Sequence, residues 1–351
     1  LGLPSDGAFG TLIHSSSTNV YSGLYVQDDW KLTSRLTLNI GLRYELEMPR
    51  MEDENRLDWF DYNVASPLSG KVAGLGDLRG GLQFAGAGGN PRRHFNTDPN
   101  NYAPRIGFAY QVSKQTVVRA GYGIFYGSGS VGAGGWNIAS LGYAPSTDLV
   151  GSLDGLRPNA TLSNPFPNGF AQPVGNSQGL LSFVGQDITR LFDRNAPLPY
   201  NQQWNLSLQR QFGSLLVQGA YSGSRGIHLG DGAGFEINQL TAGALAQGSA
   251  LQQLVPNPFF GIITNPGALR GPQVSRGQLL RPYPHFGNLT VFNPAAAAST
   301  YHGFSLKVER RFAAGLGFLA SYTTSKNISD GPATIGPAAR HQDNYNRRAD
   351  R

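Results

Sequence analysis

The stretch SRLTLNIGLRYELE, Ser34–Glu47, decides how the rest of this chain is read. Leu36, Leu38, Ile40, Leu42, Tyr44 and Leu46 alternate with Thr37, Asn39, Gly41, Arg43, Glu45 and Glu47. A period of two over this length belongs to an extended strand with one apolar face and one mostly polar face. What covers the apolar face then becomes the question.

Composition narrows the answer. Of 351 residues only 14% are charged, whereas Gly (47), Tyr (15) and Phe (19) are abundant. A water-soluble protein of this size carries about 25% charged residues, so much of this surface is not expected to face water. No segment approaches the roughly 18 consecutive apolar residues of a spanning helix. The small-residue run NPAAAAST, Asn293–Thr300, is far too short. Membrane strands are only half apolar and escape that criterion.

With no cysteine, disulfides and thiolate metal sites are excluded. The net charge of +6 comes from dispersed Lys and Arg, with no dense basic tract, so no nucleic-acid partner is expected. The chain starts at Leu1 without a signal peptide and ends in NYNRRADR, and reads as a fragment.

Alternating segments recur in pairs. GLYVQDDWKL (Gly23–Leu32) precedes the opening stretch. PRIGFAYQV (Pro104–Val112) and TVVRAGYGIFY (Thr116–Tyr126) follow, joined by SKQ. QQWNLSLQRQF (Gln202–Phe212) and SLLVQGAYSGS (Ser214–Ser224) meet near Gly213; YHGFSLKVERRF (Tyr301–Phe312) and LGFLASYTTSK (Leu316–Lys326) are joined by AAG. Each joint has the length and residues of a β-hairpin turn. Between the pairs lie long stretches rich in Gly, Pro, Asn and Ser, at about 48–103, 127–201 and 227–300. Three such loops are rare in a compact soluble domain, but short turns at one end and long loops at the other are the asymmetry of an outer-membrane barrel. A strand of about twelve residues spans roughly 40 Å, or roughly 30 Å along the membrane normal when tilted by about 40°.

The fold class read from this pattern is all-β: an antiparallel transmembrane β-barrel, partial, with about eight strands in four hairpins and long extracellular loops. Leu36, Leu38, Ile40, Leu42 and Leu46 then face lipid. So do Leu24, Val26 and Trp30; Ile106, Phe108, Tyr110 and Val112; Trp204, Leu206, Leu208 and Phe212; and Phe304, Leu306, Val308 and Phe312. Arg210 and Arg310 interrupt two rows near the short turns, where arginine reaches the head groups. Asp28 interrupts a third and runs against the reading. The polar row Arg43, Glu45, Arg105, Arg119, Gln203, Asn205, Gln209, Lys307 and Glu309 faces a wet lumen and is the one site-like constellation; its plain reading is a solvated barrel wall.

Four passages resemble the barrel region of TonB-dependent outer-membrane receptors, in particular the Oar-like group. They are YSGLYVQDDWKLTSRLTLNIGLRYE, YAPRIGFAYQVSKQTVVRAGYGIFY, YNQQWNLSLQRQF with GAYSGSRGIHL, and YHGFSLKVERRFAAGLGFLASYTTSKNISD. LGLP at the start and NYNRRADR at the end look like the family's flanking segments, and the likeness spans nearly the whole chain. The resemblance implies a 22-stranded barrel plugged by an N-terminal domain, moving a bulky solute in the bacterial outer membrane with energy relayed by a TonB-type complex. One outer-membrane barrel domain over 1–351 is expected, without the plug and terminal strands. Outer-membrane lipid, an unidentified solute and the TonB-type complex are the expected partners, the last through the missing N-terminal region. The family has no catalytic residues or cofactor to carry over, so neither an enzyme nor a cofactor is expected.

Other motifs carry less. GSGSVG (Gly127–Gly132) matches G-x-G-x-x-G, but the AGGWNIASLGY that follows is a poor helix. GNSQG (Gly175–Gly179) matches G-x-S-x-G after a Pro-rich loop rather than a strand. MEDENRLDWFDY (Met51–Tyr62) collects Glu52, Asp53, Glu54, Asp58 and Asp61, read as a solvated acidic loop or a Ca²⁺ site without EF-hand spacing. The six histidines are scattered, with no zinc-type spacing. DITRLFDR (Asp187–Arg194) reads as a short helix. NPRRHF (Asn90–Phe95) and RNAPLPYNQQW (Arg194–Trp204) are expected to meet a ligand or a neighbouring loop, or to be plain loop surface. Two other functions fit the same pattern: an adhesive outer-membrane barrel that transports nothing, separated by the absence of an upstream plug and TonB box, and a secreted soluble β-protein, separated by solubility without detergent.

Overall fold

The computed structural model of the chain describes residues 6–128, 141–152, 156–232, 234–313, 315–331 and 346. Its main element is an antiparallel sheet of eight strands. These are β1 (Ser17–Lys31), β2 (Leu36–Glu52), β3 (Asn101–Ser113), β4 (Thr116–Tyr126), β5 (Tyr200–Phe212), β6 (Leu215–Gly230), β7 (Ala295–Ala313) and β8 (Leu316–Ser329). Strand order in the sheet is chain order, an up-and-down meander, with β1 and β8 at its two edges. The fold is all-β, an outer-membrane-type barrel sheet that is not closed. The four hairpins pair as their alternation requires.

The short turns are set by local chemistry. Thr33 Oγ1 accepts the backbone N–H groups of Arg35 and Leu36 at 3.2 and 3.0 Å, closing the first turn. Adjacent hairpin tips are then tied through Gln111 N–H to Arg35 O (2.8 Å), Gln211 N–H to Gln115 O (2.9 Å) and Arg311 N–H to Ser214 O (3.1 Å).

Register sorts the side chains into two faces, because directly opposed residues point the same way. One face runs Trp30↔Leu38↔Phe108↔Ala120↔Leu206↔Tyr221↔Phe304↔Thr324. Its large residues lie open: Leu24 is 74% exposed, Ile106 56%, Leu208 52% and Phe304 45%. Among the described residues neither a second sheet nor a helical layer covers them, and this apolar belt is the lipid face. Asp28, opposite Ile40, is the one acid in these rows. On the other face the row Asp29↔Asn39↔Gly107↔Gly121↔Asn205↔Ser222↔Gly303↔Ser325 is polar or glycine throughout.

The register also carries a slope. The hydrogen-bonded row containing Asp28 and Ile40 ends at His302 and Lys326, and it climbs away from the short turns by about one residue per strand. With the short turns at one level, about 3.3 Å per residue and about 4.8 Å between strands give a tilt of about 35°, inside the range of membrane barrels.

The loops, 53–100, 127–199 and 231–294, are not plain connectors. Nearly every fully buried apolar side chain of the described residues belongs to them, including Phe60, Leu82, Ile188, Phe259, Phe286 and Leu289. They form a folded layer with its own small sheets: Asp58–Ala65 with Arg79–Phe84, Leu254–Pro256 with Gln273–Ser275, and Phe235–Glu236, Leu289–Val291 and Ile188–Leu191 together. Ile188–Leu191 is therefore a strand, parallel to Leu289–Val291, where its apolar spacing suggests a helix. Pairing across about a hundred residues overrides the weak local preference of four residues. Phe60 packs edge-on to Tyr283 and Phe286, with ring centres at 5.4 and 5.6 Å. Gly80 permits this at φ +93°, since a Cβ there would meet the Tyr283 ring at 2.7 Å.

Buried asparagines staple the third loop. Asn238 donates to Tyr283 O and Gly287 O at 2.9 and 2.6 Å and accepts from Tyr283 N at 2.8 Å. Asn257 does the same for Leu269 O, Gly271 O and Phe259 N at 2.8, 2.6 and 3.0 Å. A buried backbone without ladder partners needs such side chains to satisfy it.

The two faces of β2 give a direct test. Leu38→Arg, on the apolar face between Trp30 and Phe108, is expected to cost about 2–4 kcal/mol in a lipid-folding titration of the full-length protein. Asn39→Arg, one residue on, is expected to cost much less; equal costs would contradict the facial assignment.

Candidate functional site

The nine polar residues picked out from the sequence all fall on the polar face by register. They do not converge into one pocket. They form pairs along the wall. Arg43 Nε lies 2.7 Å from Glu45 Oε1, and its Nη2 donates to the Tyr21 hydroxyl at 2.7 Å. Arg105 stacks on the Phe125 ring at 4.6 Å. Arg119 donates to Gln209 Oε1 at 3.0 Å across β4 and β5, and Lys307 sits 2.9 Å from Glu309. Gln203 lies opposite Gly123 and Ser224, and Asn205 opposite Gly121 and Ser222. Arg43 and Lys307 are neutralised by their carboxylates, while Arg105 and Arg119 rest on a ring and an amide and keep their charge; the ladder presents donors and acceptors with a positive excess, which suits a wetted wall.

Above this wall the strands meet the loop layer at a cavity of about 80 Å³. Glu47 and Arg50 from β2, His228 from β6, and His94, Asp98 and Asp193 from the loops line it. That volume holds a handful of waters and is too small for a bulky solute. Residues just past the first of the two segments expected to meet a ligand or a loop, Asn96 and Asp98, hold the start of the second here. Asn96 N–H donates to Arg194 O at 2.8 Å, Asn96 Nδ2 to Asn195 Oδ1 at 2.7 Å, and Leu198 N–H to Asp98 Oδ2 at 3.0 Å.

Three ionisable groups are buried where the loops join. His94 is fully buried against Phe95 and Phe192, and burial, reinforced by the nearby Arg50 and Arg194 charges, lowers its pKa to about 3. His285, also fully buried, lies 3.4 Å from Gly80 O through Nε2; burial lowers it to about 4. Burial raises Asp58 to about 8, against the opposing effect of the Leu141 N–H it accepts at 2.8 Å.

The acidic run is thus only in part a solvated loop: Asp53 and Glu54 are exposed, while the other three acids have partners in the fold. Glu52 is buried on Arg56 at 2.6 Å, Asp58 is buried on Leu141, and Asp61 caps the Asn63 and Val64 N–H groups at 2.9 and 3.1 Å. Among the described residues no group of three or more His, Asp or Glu is placed to hold a metal ion. Gly175–Gly179 forms turns leading into a 3₁₀ segment, Gly179–Leu181, and Ser177 Oγ donates to Val174 O at 2.6 Å, so no strand-to-helix nucleophile turn exists there. The GSGSVG motif falls mostly outside the described residues. The rim cavity had no sequence signature, because its lining comes from segments as far apart as Glu47 and Ala295.

The chain matches the outer membrane beta barrel domain family over residues 1–351, and it belongs to that family. No curated protein matches it. Solved structures similar to it include the alcaligin outer-membrane receptor FauA from Bordetella pertussis, with 12% identity, a TM-score of 0.34 and coverage of 90% of this chain and 31% of that one. The FrpB iron transporter from Neisseria meningitidis, F3-3 variant, gives 10% identity and a TM-score of 0.37, over 90% of this chain and 26% of that one. The siderophore receptor PiuA from Acinetobacter baumannii gives 8% identity and a TM-score of 0.35, over 92% and 28%. The chain spans about a third or less of these structures' length. Its place is the bacterial outer membrane.

The buried groups predict a stability optimum for the loop layer. A lowered histidine pKa means the unfolded state binds the extra protons between about 4 and 6.5, so both histidines make stability rise with pH in that window. A raised carboxyl pKa means the folded state holds the proton, so Asp58 makes stability fall from about pH 4 to about 8. Each contributes at most about 1.4 kcal/mol per pH unit. Two rising terms against one give a maximum near pH 6.5, read as resistance of the loops to proteolysis. Asp58→Asn is expected to remove the alkaline decline; an alkaline decline of unchanged size in that variant would contradict the assignment.

Proposed function

We propose that this chain is an arc of a larger, receptor-type barrel of the Oar-like kind, which moves a bulky solute across the outer membrane with energy from a TonB-type complex. Family membership supports a barrel, and the four resembling passages support the receptor type. The observation that carries the reading is the continuous polar wall opposite the apolar belt, with Arg43, Glu45, Arg105, Arg119, Gln203, Asn205, Gln209, Lys307 and Glu309 spaced along it. Such a wall serves a wetted passage and would be wasted on a sealed, side-chain-filled barrel. The sheet edges support a larger ring. β1 and β8 present unpaired N–H and C=O groups, each costing several kcal/mol in lipid, so further strands complete the circle. The function is transport rather than catalysis. A second reading, a surface-binding barrel, draws on the folded loop layer, which has a core of its own.

The full-length protein separates the two. In cells expressing it, a panel of labelled ferric siderophores, oligosaccharides and oligopeptides is offered with and without a protonophore. Transport predicts periplasmic accumulation of a bulky solute that the protonophore abolishes and that Arg105→Ala with Arg119→Ala lowers about tenfold. Surface binding unaffected by the protonophore, with no accumulation, would overturn it.

A further inference from the structure

The apolar face ends at the loop side in a feature that the transport reading leaves unused. On β6, β7 and β8 this face carries Arg225, His302 and Lys326. Arg225 lies opposite Thr300, and His302 lies opposite both Gly223 and Lys326. The register slope puts the three at one height, about 30 Å above the short turns at about 3.3 Å per residue and about 35° of tilt. Elsewhere the same girdle carries aromatic pairs and no further cation: Tyr44 with Tyr102 at 5.1 Å and Tyr126 with Tyr200 at 5.5 Å. The cationic sector is therefore confined to three adjacent strands.

Below it, on β5 to β8, the apolar face carries no charge until Arg210 and Arg310, a gap of roughly 20 Å on the same geometry. Arg210 lies over the Phe212 ring at 5.0 Å, close to the turns. The two cationic levels thus bracket an apolar band close to the roughly 25 Å of a membrane barrel.

The sector is also organised. The His302 ring stacks on Tyr221, with Nδ1 2.7 Å from the Tyr221 hydroxyl. Trp204 Nε1 donates to the same hydroxyl at 3.4 Å. Gly223 makes room for that indole, since a Cβ there would meet it at 2.4 Å. This leaves His302 Nε2 as the remaining ring donor, between two exposed cations. Among the described residues neither Arg225 nor Lys326 is in a salt bridge. Asp330, just past the end of β8, is buried and accepts the Ala298 N–H at 2.6 Å.

We propose that Arg225, His302 and Lys326 bind the phosphorylated head group of an outer-leaflet lipid, with Trp204 and Tyr221 against its upper acyl and sugar portion. Two cations and a ring donor, arrayed at the upper border of the belt with no salt-bridge partner among the described residues, match a phosphate monoester anchored by acyl chains. The proposal rests on the loops facing the cell exterior, and it does not require transport.

The test uses the full-length protein in phosphatidylcholine nanodiscs, titrated with bis-phosphorylated lipid A and with its fully dephosphorylated form, retention being read by native mass spectrometry. The bis-phosphorylated lipid is expected to be retained and the dephosphorylated one lost. Arg225→Gln with Lys326→Gln is expected to weaken retention about 30-fold, at about 1 kcal/mol per basic residue. Arg225→Lys with Lys326→Arg is expected to stay within about threefold of the wild type, which separates lost charge from lost folding. Arg210→Gln with Arg310→Gln, at the opposite border, is expected to change nothing. Equal retention of the dephosphorylated lipid, or an unchanged double Gln variant, would overturn the proposal. Failure of the protonophore experiment with phosphate-selective retention intact would remove the transport reading alone.

Discussion

Every backbone N–H and C=O in the hydrocarbon layer must find its partner within the protein. That constraint selects a sheet, and the sheet's period of two decides everything placed on it. Once Leu38 pairs with Phe108 and Asn39 with Gly107, the apolar and polar sets across all eight strands follow by register. A slip of one residue would turn Arg43 and Glu45 into lipid and Leu42 into water. The short turns are where this is pinned, and the ties between neighbouring hairpin tips hold the pins in line.

The loops obey the opposite logic. Above the belt the usual hydrophobic effect returns, and the three long segments bury Phe60, Phe259, Phe286 and their neighbours in a layer of their own. The chain therefore has two apolar surfaces with different solvents: one turned outward to acyl chains, one turned inward away from water. The low charge content serves both. The polar wall runs from the sheet up to Glu47 at the foot of the rim cavity, so the two regions join at a wet seam.

How much could be read from residues alone follows from contact range. The hairpins were legible because a strand, its turn and its partner lie within about thirty residues and share one period. The same alternation placed all nine polar candidates on a common face, but not their pairing: Arg119 with Gln209 spans ninety positions. The loop layer was under-read. LDWF (Leu57–Phe60) and HFGNLTVF (His285–Phe292) are dense apolar runs that announce burial, yet no short period says what covers them. Ile188–Leu191 shows the limit, its state fixed by a distant parallel partner. Arg225, His302 and Lys326 are unremarkable apart; only the tilt brings them level.

The assignment of the two faces is the claim on which the wall, the belt and the lipid sector all rest. It is tested most directly by single-cysteine labels at each position from Leu36 to Leu46, which the natural absence of cysteine makes clean, in the full-length protein reconstituted in bilayers. A fluorophore at Leu38, Ile40 and Leu42 should be quenched by nitroxide-bearing acyl chains, and one at Asn39, Gly41 and Arg43 by a water-soluble quencher, with a strict period of two. Uniform quenching along the segment, or the reverse phase, would contradict the account.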